Sequence, residues 1–241
     1  MLIAATSDLD ALTGDFAKFA DALAAAKKPD LFLWAGDMCD FRMPHQYRDV
    51  LRLVERAGWD CPIVAVWGNK EFEQDYEKIK QIVGKRVVFL DDEMFMIEVG
   101  GRRVGIVGTK GCLDRPTWWQ SRSIPDIKER YANRFEKVVG LLKNMKTLKC
   151  NINILLSHYA LTYQTLKGER PEIYGGLGYK AFEKAIAQAN LTFAVHGHAH
   201  FGIPLAFVDS VPVFNVAMPV NKGIVLIDPD KLPVKGLRGF V

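Results

Sequence analysis

The chain has 241 residues, of which 49% are hydrophobic, so it can bury a full core, and one domain over residues 1–241 is expected. Its net charge of +4 is too mild to mark a dedicated polyanion binder. No apolar run reaches the ~18–20 residues of a bilayer span, the first residues lack a signal peptide's basic region and apolar core, and Cys39, Cys61, Cys112 and Cys150 form no CxxC pair. A cytoplasmic protein with reduced thiols, without oxidative chemistry, is therefore expected.

Residues 2–5 are an apolar run that stops at Thr6-Ser7-Asp8-Leu9-Asp10, predicting a buried strand with Asp8 and Asp10 on alternate positions at its carboxyl end. A helix over 15–26 follows, with Phe16, Phe19, Ala20 and Leu23 at helical spacing, and Gly14-Asp15 serve as its start. Capping therefore leaves the two aspartates unexplained. A strand over 31–35 ends in Gly36-Asp37-Met38-Cys39-Asp40, before a helix over 44–57 striped by Tyr47, Val50, Leu51 and Val54. The strand 62–67 ends in Gly68-Asn69-Lys70-Glu71 and leads to a helix over 72–83. In open α/β sheets, ligands sit at such carboxyl edges.

After a strand at 87–90 the parallel rhythm changes, because 94–99 and 102–107 flank Gly100-Gly101 as a hairpin. Residues 108–120 read as a loop, 124–145 as an amphipathic helix, and 152–156 as a strand ending in Ser157-His158-Tyr159. Lysines and arginines outnumber acids seven to three across 126–150, which accounts for the whole net charge. Without interleaved aromatics they read as the solvated face of that helix rather than a nucleic-acid surface. The loop 160–176 is long enough to be functional or mobile. A helix over 178–190 and a strand over 191–195 then reach His196-Gly197-His198-Ala199-His200, which holds three of the chain's five histidines. The tail 203–208, 211–216 and 223–227 reads as an antiparallel meander closing a second sheet.

Collected in order, the strand ends present Asp8 and Asp10, Asp37 and Asp40, Asn69, His158, and His198 with His200. Each group alone is weak, since Asp and Asn after a strand are commonly turn formers. Their recurrence is the signal. Carboxylates neutralise divalent ions, imidazoles supply nitrogen ligands, and an amide adds coordination without charge.

In these motifs the sequence resembles the calcineurin-like metallophosphoesterase superfamily over residues 6–200. Its pattern of DxH, GDxxD, GNH(D/E), a lone His after a strand and GHxH appears here as Asp8-Leu9-Asp10, Gly36 to Asp40, Gly68 to Glu71, His158, and Gly197 to His200. The resemblance implies an α/β fold, a four-layer αββα sandwich of two mixed β-sheets flanked by helices. It implies hydrolysis of a phosphomonoester or phosphodiester through two divalent metal ions and a bridging hydroxide. Asp8, Asp10, Asp37 and His200 would hold one ion, and Asp37, Asn69, His158 and His198 the other, with Asp37 bridging. Manganese is the expected metal, with iron, zinc, cobalt and nickel as alternatives.

Two positions depart from the pattern. Asp10 replaces a histidine, which favours harder ions or ligation through water. Lys70 replaces the histidine that acts on the leaving oxygen, and an ion pair with Asp40 is the natural substitute for that histidine's partner. A protonated lysine stabilises phosphoryl oxygens but donates a proton poorly at neutral pH, so alkoxide leaving groups should react slowly.

Arg42 and Tyr159 stand beside these motifs as candidate phosphate contacts, and Arg115, Trp118 and Trp119, in the loop after the hairpin, as substrate-binding residues walling the site around a base or aryl group. The expected partner is a small phosphorylated substrate or nucleotide; nucleic acid is less favoured, and a homo-oligomer is compatible with the sequence. A binding scaffold that has lost its chemistry is the first rival reading. A metallo-β-lactamase-like hydrolase is the second, disfavoured because no Asp directly follows the histidine motif and the motif lies late in the chain.

Overall fold

Alternate residues of the first strands point into two different cores. In the computed structural model, which describes residues 1–10 and 13–235, β1 (Ile3–Thr6), β2 (Leu31–Trp34), β3 (Ile63–Val66) and β4 (Val87–Leu90) lie parallel. Ala4, Phe32, Trp34, Ile63 and Ala65 pack outward on helices α1 (Asp15–Ala25), α2 (Gln46–Arg56) and α3 (Tyr76–Val83). Ile3, Ala5, Leu31, Leu33, Val64 and Val66 face the opposite way, into a core shared with a second sheet. Both faces are covered, so these strands read as unbroken apolar runs. Each fully buried Leu, Ile or Phe contributes roughly 1.5–3 kcal/mol.

The second sheet begins with the hairpin β5 (Glu93–Val99) and β6 (Arg102–Thr109), after which the chain forms α4 (Trp118–Ser123) and α5 (Ile127–Met145). Then come β7 (Ile152–Ser157), α6 (Phe182–Gln188), β8 (Phe193–His196), β9 (Leu205–Val208) and β10 (Val211–Asn215), giving the order β5-β6-β7-β8-β10-β9. β6, β7, β8 and β10 run parallel, while β5 and β9 pair antiparallel at the edges. Val104, Ile106, Ile154, Leu156 and Val195 meet the first sheet, and Val107, Leu155, Ala194 and Val213 face α5 and α6. The layers are thus helix, sheet, sheet, helix, the expected αββα sandwich of two mixed sheets. Among the described residues, no helix is long and apolar enough to cross a membrane.

Three details differ from the expectations. The tail is not a meander in one sheet. After β10, the short helix α7 (Met218–Asn221) turns the chain, and β11 (Val225–Ile227) pairs antiparallel with β1 in the first sheet. That pairing covers β1's outer edge and places Ile227 beside Ile3 in the inter-sheet core. α4 was expected to be loop; Thr117 caps it by accepting from the Gln120 backbone N–H at 3.2 Å, while the Gln120 side chain accepts from the Thr117 N–H at 2.9 Å. The Thr-x-x-Gln spacing is the local signal for that box. α6 starts later than expected, because Tyr179 donates its backbone N–H to Ala160 in a short bridge.

Along α5, Lys128, Lys137, Lys143 and Lys146 are exposed, as a solvated face requires. Arg134 is the exception. It turns inward and pairs with Asp92 at 2.9 Å and Asp91 at 3.8 Å, beyond the end of β4.

Candidate metal centre

The parallel strands β1, β2, β3, β7 and β8 deliver Asp8, Asp37, Asn69, His158 and His198 at their carboxyl ends, and the two sheets meet there. Asp8, Asp37 and His198 all have positive φ, at 58°, 52° and 68°. Such backbone costs about 1–2 kcal/mol for a non-glycine residue, so surrounding contacts must hold it. Two glycines allow the close approach. A Cβ on Gly68 would collide with the Asp37 carboxylate, and one on Gly197 would collide with Ser7 and Asp8.

Asp8 is buried, and its two oxygens are divided between partners. Oδ1 faces His200 Nε2 at 3.1 Å, while Oδ2 accepts from Ser7 Oγ at 2.5 Å and from the His198 backbone N–H at 2.8 Å. Burial opposes its charge, but His200, His158 and Ser7 more than offset that, holding the carboxyl below the usual carboxylate range. Asp37 behaves in the opposite way. Burial, and then the charge of Asp8, push it up to about 7, although the Lys70 backbone N–H donates to its Oδ1 at 2.7 Å.

His158 is fixed by a second contact. Its Nδ1 lies 2.8 Å from the carbonyl of Ala35, which can only accept, so the ring proton resides on Nδ1 and Nε2 carries a lone pair. Burial keeps the ring neutral by lowering its pKa. That Nε2 faces Asn69 Oδ1 at 2.9 Å and Asp37 Oδ2 at 3.6 Å. Three potential ligand atoms converge there, and a divalent cation would take the place of the proton that burial favours on Asp37.

The His198 ring packs 4.9 Å from that of His158, and ligand atoms of Asp8, His158 and His198 all lie within 4.8 Å of one another. Burial first, and then His158, lower His198 to about 3. A neutral imidazole can therefore present its lone pair at neutral pH. His200 is more exposed and has its pKa raised, chiefly by its hydrogen bond to Asp8. The donor set of carboxylates, neutral imidazoles and one amide oxygen suits a divalent ion. His196 takes no part: Nδ1 meets the Gly197 carbonyl at 2.7 Å and Nε2 meets Thr165 Oγ1 at 2.8 Å, so both nitrogens are occupied.

The expected Lys70–Asp40 pair does not form. Asp40 is locked to the start of α2, where its Oδ2 accepts from Gln46 Nε2 at 2.9 Å and its backbone N–H donates to Gln46 Oε1 at 2.7 Å. Lys70 reaches the other way, to Asp10 Oδ2 at 3.9 Å. Asp10 itself is one-third exposed and accepts from the Thr13 N–H at 3.3 Å. The physical reason is saturation: a reciprocal amide clasp on Asp40 leaves the lysine nearer to the carboxylate across the opening.

The remaining candidates scatter. Tyr159 is buried, its ring edge-on to His198 at 4.8 Å and its hydroxyl accepting from Gln120 Nε2 at 3.1 Å. Arg115 lies off the cleft beside the centre, its guanidinium donating to the Glu172 carbonyl. Arg42 lines that cleft, over the Phe72 ring at 5.7 Å. Trp119 lines it too, whereas Trp118 is 72% exposed and stacks with Arg122.

Two groups escaped the sequence reading. Glu71 is buried and accepts from the backbone N–H groups of Asp37 at 3.0 Å, Met38 at 2.9 Å and Gly68 at 2.7 Å, and from Tyr47 Oη at 2.9 Å. It staples the loops carrying Asp37 and Asn69 together; its place at the end of Gly68-Asn69-Lys70-Glu71 was the available signal. Lys110, directly after β6, is enclosed near Asp37 and Glu71, and burial lowers its pKa. No local pattern marks it.

Acids, an amide and imidazoles at the carboxyl edges of two facing mixed sheets define a phosphoesterase-type sandwich with a cluster able to bind metal. The model of the calcineurin-like phosphoesterase family matches residues 1–202, and the chain belongs to that family. Among solved structures it is similar to the phosphopantetheinyl hydrolase of Mycobacterium tuberculosis, with 18% identity, 96% of this chain and 98% of that one covered, and a TM-score of 0.64. It is similar also to a 5′-nucleotidase precursor from Thermus thermophilus, with 20% identity, coverage of 86% and 43%, and a TM-score of 0.53. A putative 5′-nucleotidase from Staphylococcus aureus shares 15% identity, with coverage of 94% and 50% and a TM-score of 0.57. This chain therefore spans half or less of those nucleotidases, and at such identities the likeness is one of fold. No curated protein matches the chain.

Proposed function

We propose that this protein hydrolyses a phosphomonoester or phosphodiester of a small molecule, using two divalent ions held between the sheets. The observation that carries the reading is the convergence of His158 Nε2, Asn69 Oδ1 and Asp37 Oδ2, with the ring proton of His158 committed to the Ala35 carbonyl so that Nε2 presents its lone pair to the other two. Asp37, Asn69, His158 and His198 would hold one ion, and Asp8, Asp10, Asp37 and His200 the other. When bound, the ions would activate water and withdraw charge from the phosphoryl oxygens. Asp10, an oxygen donor in place of a histidine, favours a harder ion such as manganese.

The chain's own groups supply the rest. Glu71 fixes the loops that carry Asp37 and Asn69, so the donors are positioned before any ligand arrives. Lys70, at the opening, places a cation where leaving-group charge develops, and Asp10 orients it. The four cysteines stand unpaired, which fits a reducing, cytoplasmic setting.

Metal analysis of the purified protein, coupled to hydrolysis of bis-p-nitrophenyl phosphate and p-nitrophenyl phosphate, tests the proposal. Two ions per chain and metal-dependent turnover are expected, both lost in Asp37→Asn. Bound metal with no turnover on any phosphoester would leave a binding scaffold instead.

A further inference from the structure

A cleft of about 810 Å³ opens beside Asn69 and His198 and extends to the first turns of α5. One side is aromatic. Phe41, Phe72 and Trp119 meet edge to face with centroids 5.5 and 6.2 Å apart, yet Phe41 is 56% and Trp119 50% exposed. Phe41 and Trp119, exposed in this way, offer stacking surface, and Arg42 lies over Phe72 at 5.7 Å.

The rest of the lining carries the cations Lys110, Arg130 and Arg134, and its only acids are Glu71 and Glu73. Arg134 is occupied by Asp91 and Asp92, and Glu71 by backbone donors. Among the described residues, neither Lys110 nor Arg130 enters an ion pair. Lys110 is half-buried, with Glu71 and the proposed ligand Asp37 the nearest carboxylates acting on it, whereas Arg130 stands exposed on α5. Arg130, a cation lining a partly apolar cleft with no carboxylate in an ion pair with it, is matched by an anion of a ligand, while Lys110 faces the carboxylates of Glu71 and Asp37 without a contact pair. The volume suits a small molecule rather than a folded partner.

Resting on the hydrolase reading, we propose that this cleft binds the part of the substrate beyond the scissile phosphoryl group, an aromatic ring carrying a second anionic group, as in a nucleoside bisphosphate. Lys110 contacts phosphoryl oxygens beside the metal centre, the ring lies against Phe72 and Trp119, and Arg130 holds the second anion.

Trp34, Trp59 and Trp67 are buried and only Trp118 and Trp119 are exposed, so quenching of tryptophan fluorescence by a bound ring reports on this wall. The full chain, without added metal, is titrated with adenosine 3′,5′-bisphosphate and adenosine 5′-monophosphate. The bisphosphate should bind about tenfold more tightly, the worth of one charge-assisted pair. Arg130→Gln, an exposed change that spares the fold, should shrink the ratio to about twofold, whereas Lys110→Gln should weaken both ligands alike. Equal affinity for the two nucleotides, or a ratio untouched by Arg130→Gln, would overturn the proposal. So would displacement of the nucleotide by 1,6-hexanediol bisphosphate at equal concentration, since that ligand has no ring. Hydrolysis of bis-p-nitrophenyl phosphate by the manganese-loaded protein is the separate check on the hydrolase reading. Turnover without nucleotide binding removes the subsite alone, and nucleotide binding without turnover removes the hydrolase reading alone.

Discussion

Asp8 Oδ2 accepts a hydrogen bond from the backbone N–H of His198 at 2.8 Å, joining the end of β1 to the loop after β8 across 190 positions of sequence. One carboxylate thereby ties the first sheet to the second at the candidate metal centre, while its other oxygen faces His200. Asp8→Asn replaces one of these acceptors with an amide NH₂. The expected outcome is a loss of at least about 100-fold in manganese affinity, read by metal titration, together with a lower Tm. Wild-type affinity in the variant would remove Asp8 from the ligand set.

Glu71 predicts stability more than chemistry. Glu71→Ala strands three buried backbone N–H groups and the Tyr47 hydroxyl, which should cost about 3–5 kcal/mol in urea unfolding of the metal-free protein. A change below about 1 kcal/mol would mean that solvent or rearrangement satisfies those donors.

Asp37 predicts a pH dependence. With its pKa pushed up from 3.8 to about 7, the folded protein holds a proton there that the unfolded chain releases. Stability from that proton is present at low pH and lost as pH rises toward about 7. Asp37→Asn removes the burden of the buried charge. The variant should exceed wild type most at pH 8 in metal-free unfolding, and the advantage should shrink as pH falls below about 7. The buried histidines, whose lowered pKa values act in the opposite sense below 6.5, make the comparison cleanest between pH 6.5 and 8. A difference flat in pH would show that Asp37 stays ionised. In wild type, manganese affinity should fall over the same window, because the cation must displace that proton.

Lys70 bears on the leaving group. Across diesters of graded leaving-group pKa, wild type should slow markedly from aryl to alkyl leaving groups, and Lys70→His should flatten that dependence by supplying a better proton donor. Equal slopes would take Lys70 out of leaving-group chemistry. Asp10→Asn should lower turnover on two counts, since Asp10 is a proposed metal donor and also the carboxylate 3.9 Å from the Lys70 ammonium. Manganese titration separates the two: unchanged metal affinity with a loss of about tenfold or less leaves Asp10 only the orienting part, against a full loss at Lys70→Ala.

The strands and their polar ends were legible because β1 to β3, β7 and β8 are covered on both faces and so show as apolar runs closed by acids, amide or imidazole. Helices α1 and α2 were legible through the spacing of Phe19 and Leu23, and of Tyr47, Val50 and Val54. α4 escaped because its two tryptophans and exposed surface give no apolar stripe, and only the Thr117 and Gln120 box marks it. Glu71 escaped because its donors lie in loops remote in sequence, at Asp37 and Met38.

The order of residues by itself determined which segments become strands and which chemistry stands at their carboxyl ends, because both follow from patterns a few residues long. Only the packed chain decided who meets whom: Asp40 with Gln46 rather than Lys70, Lys70 with Asp10, β11 on the first sheet rather than the second, Lys110 beside Asp37. Partner choice depends on distances between elements far apart in sequence, and those distances exist only once the two sheets have closed over their shared core.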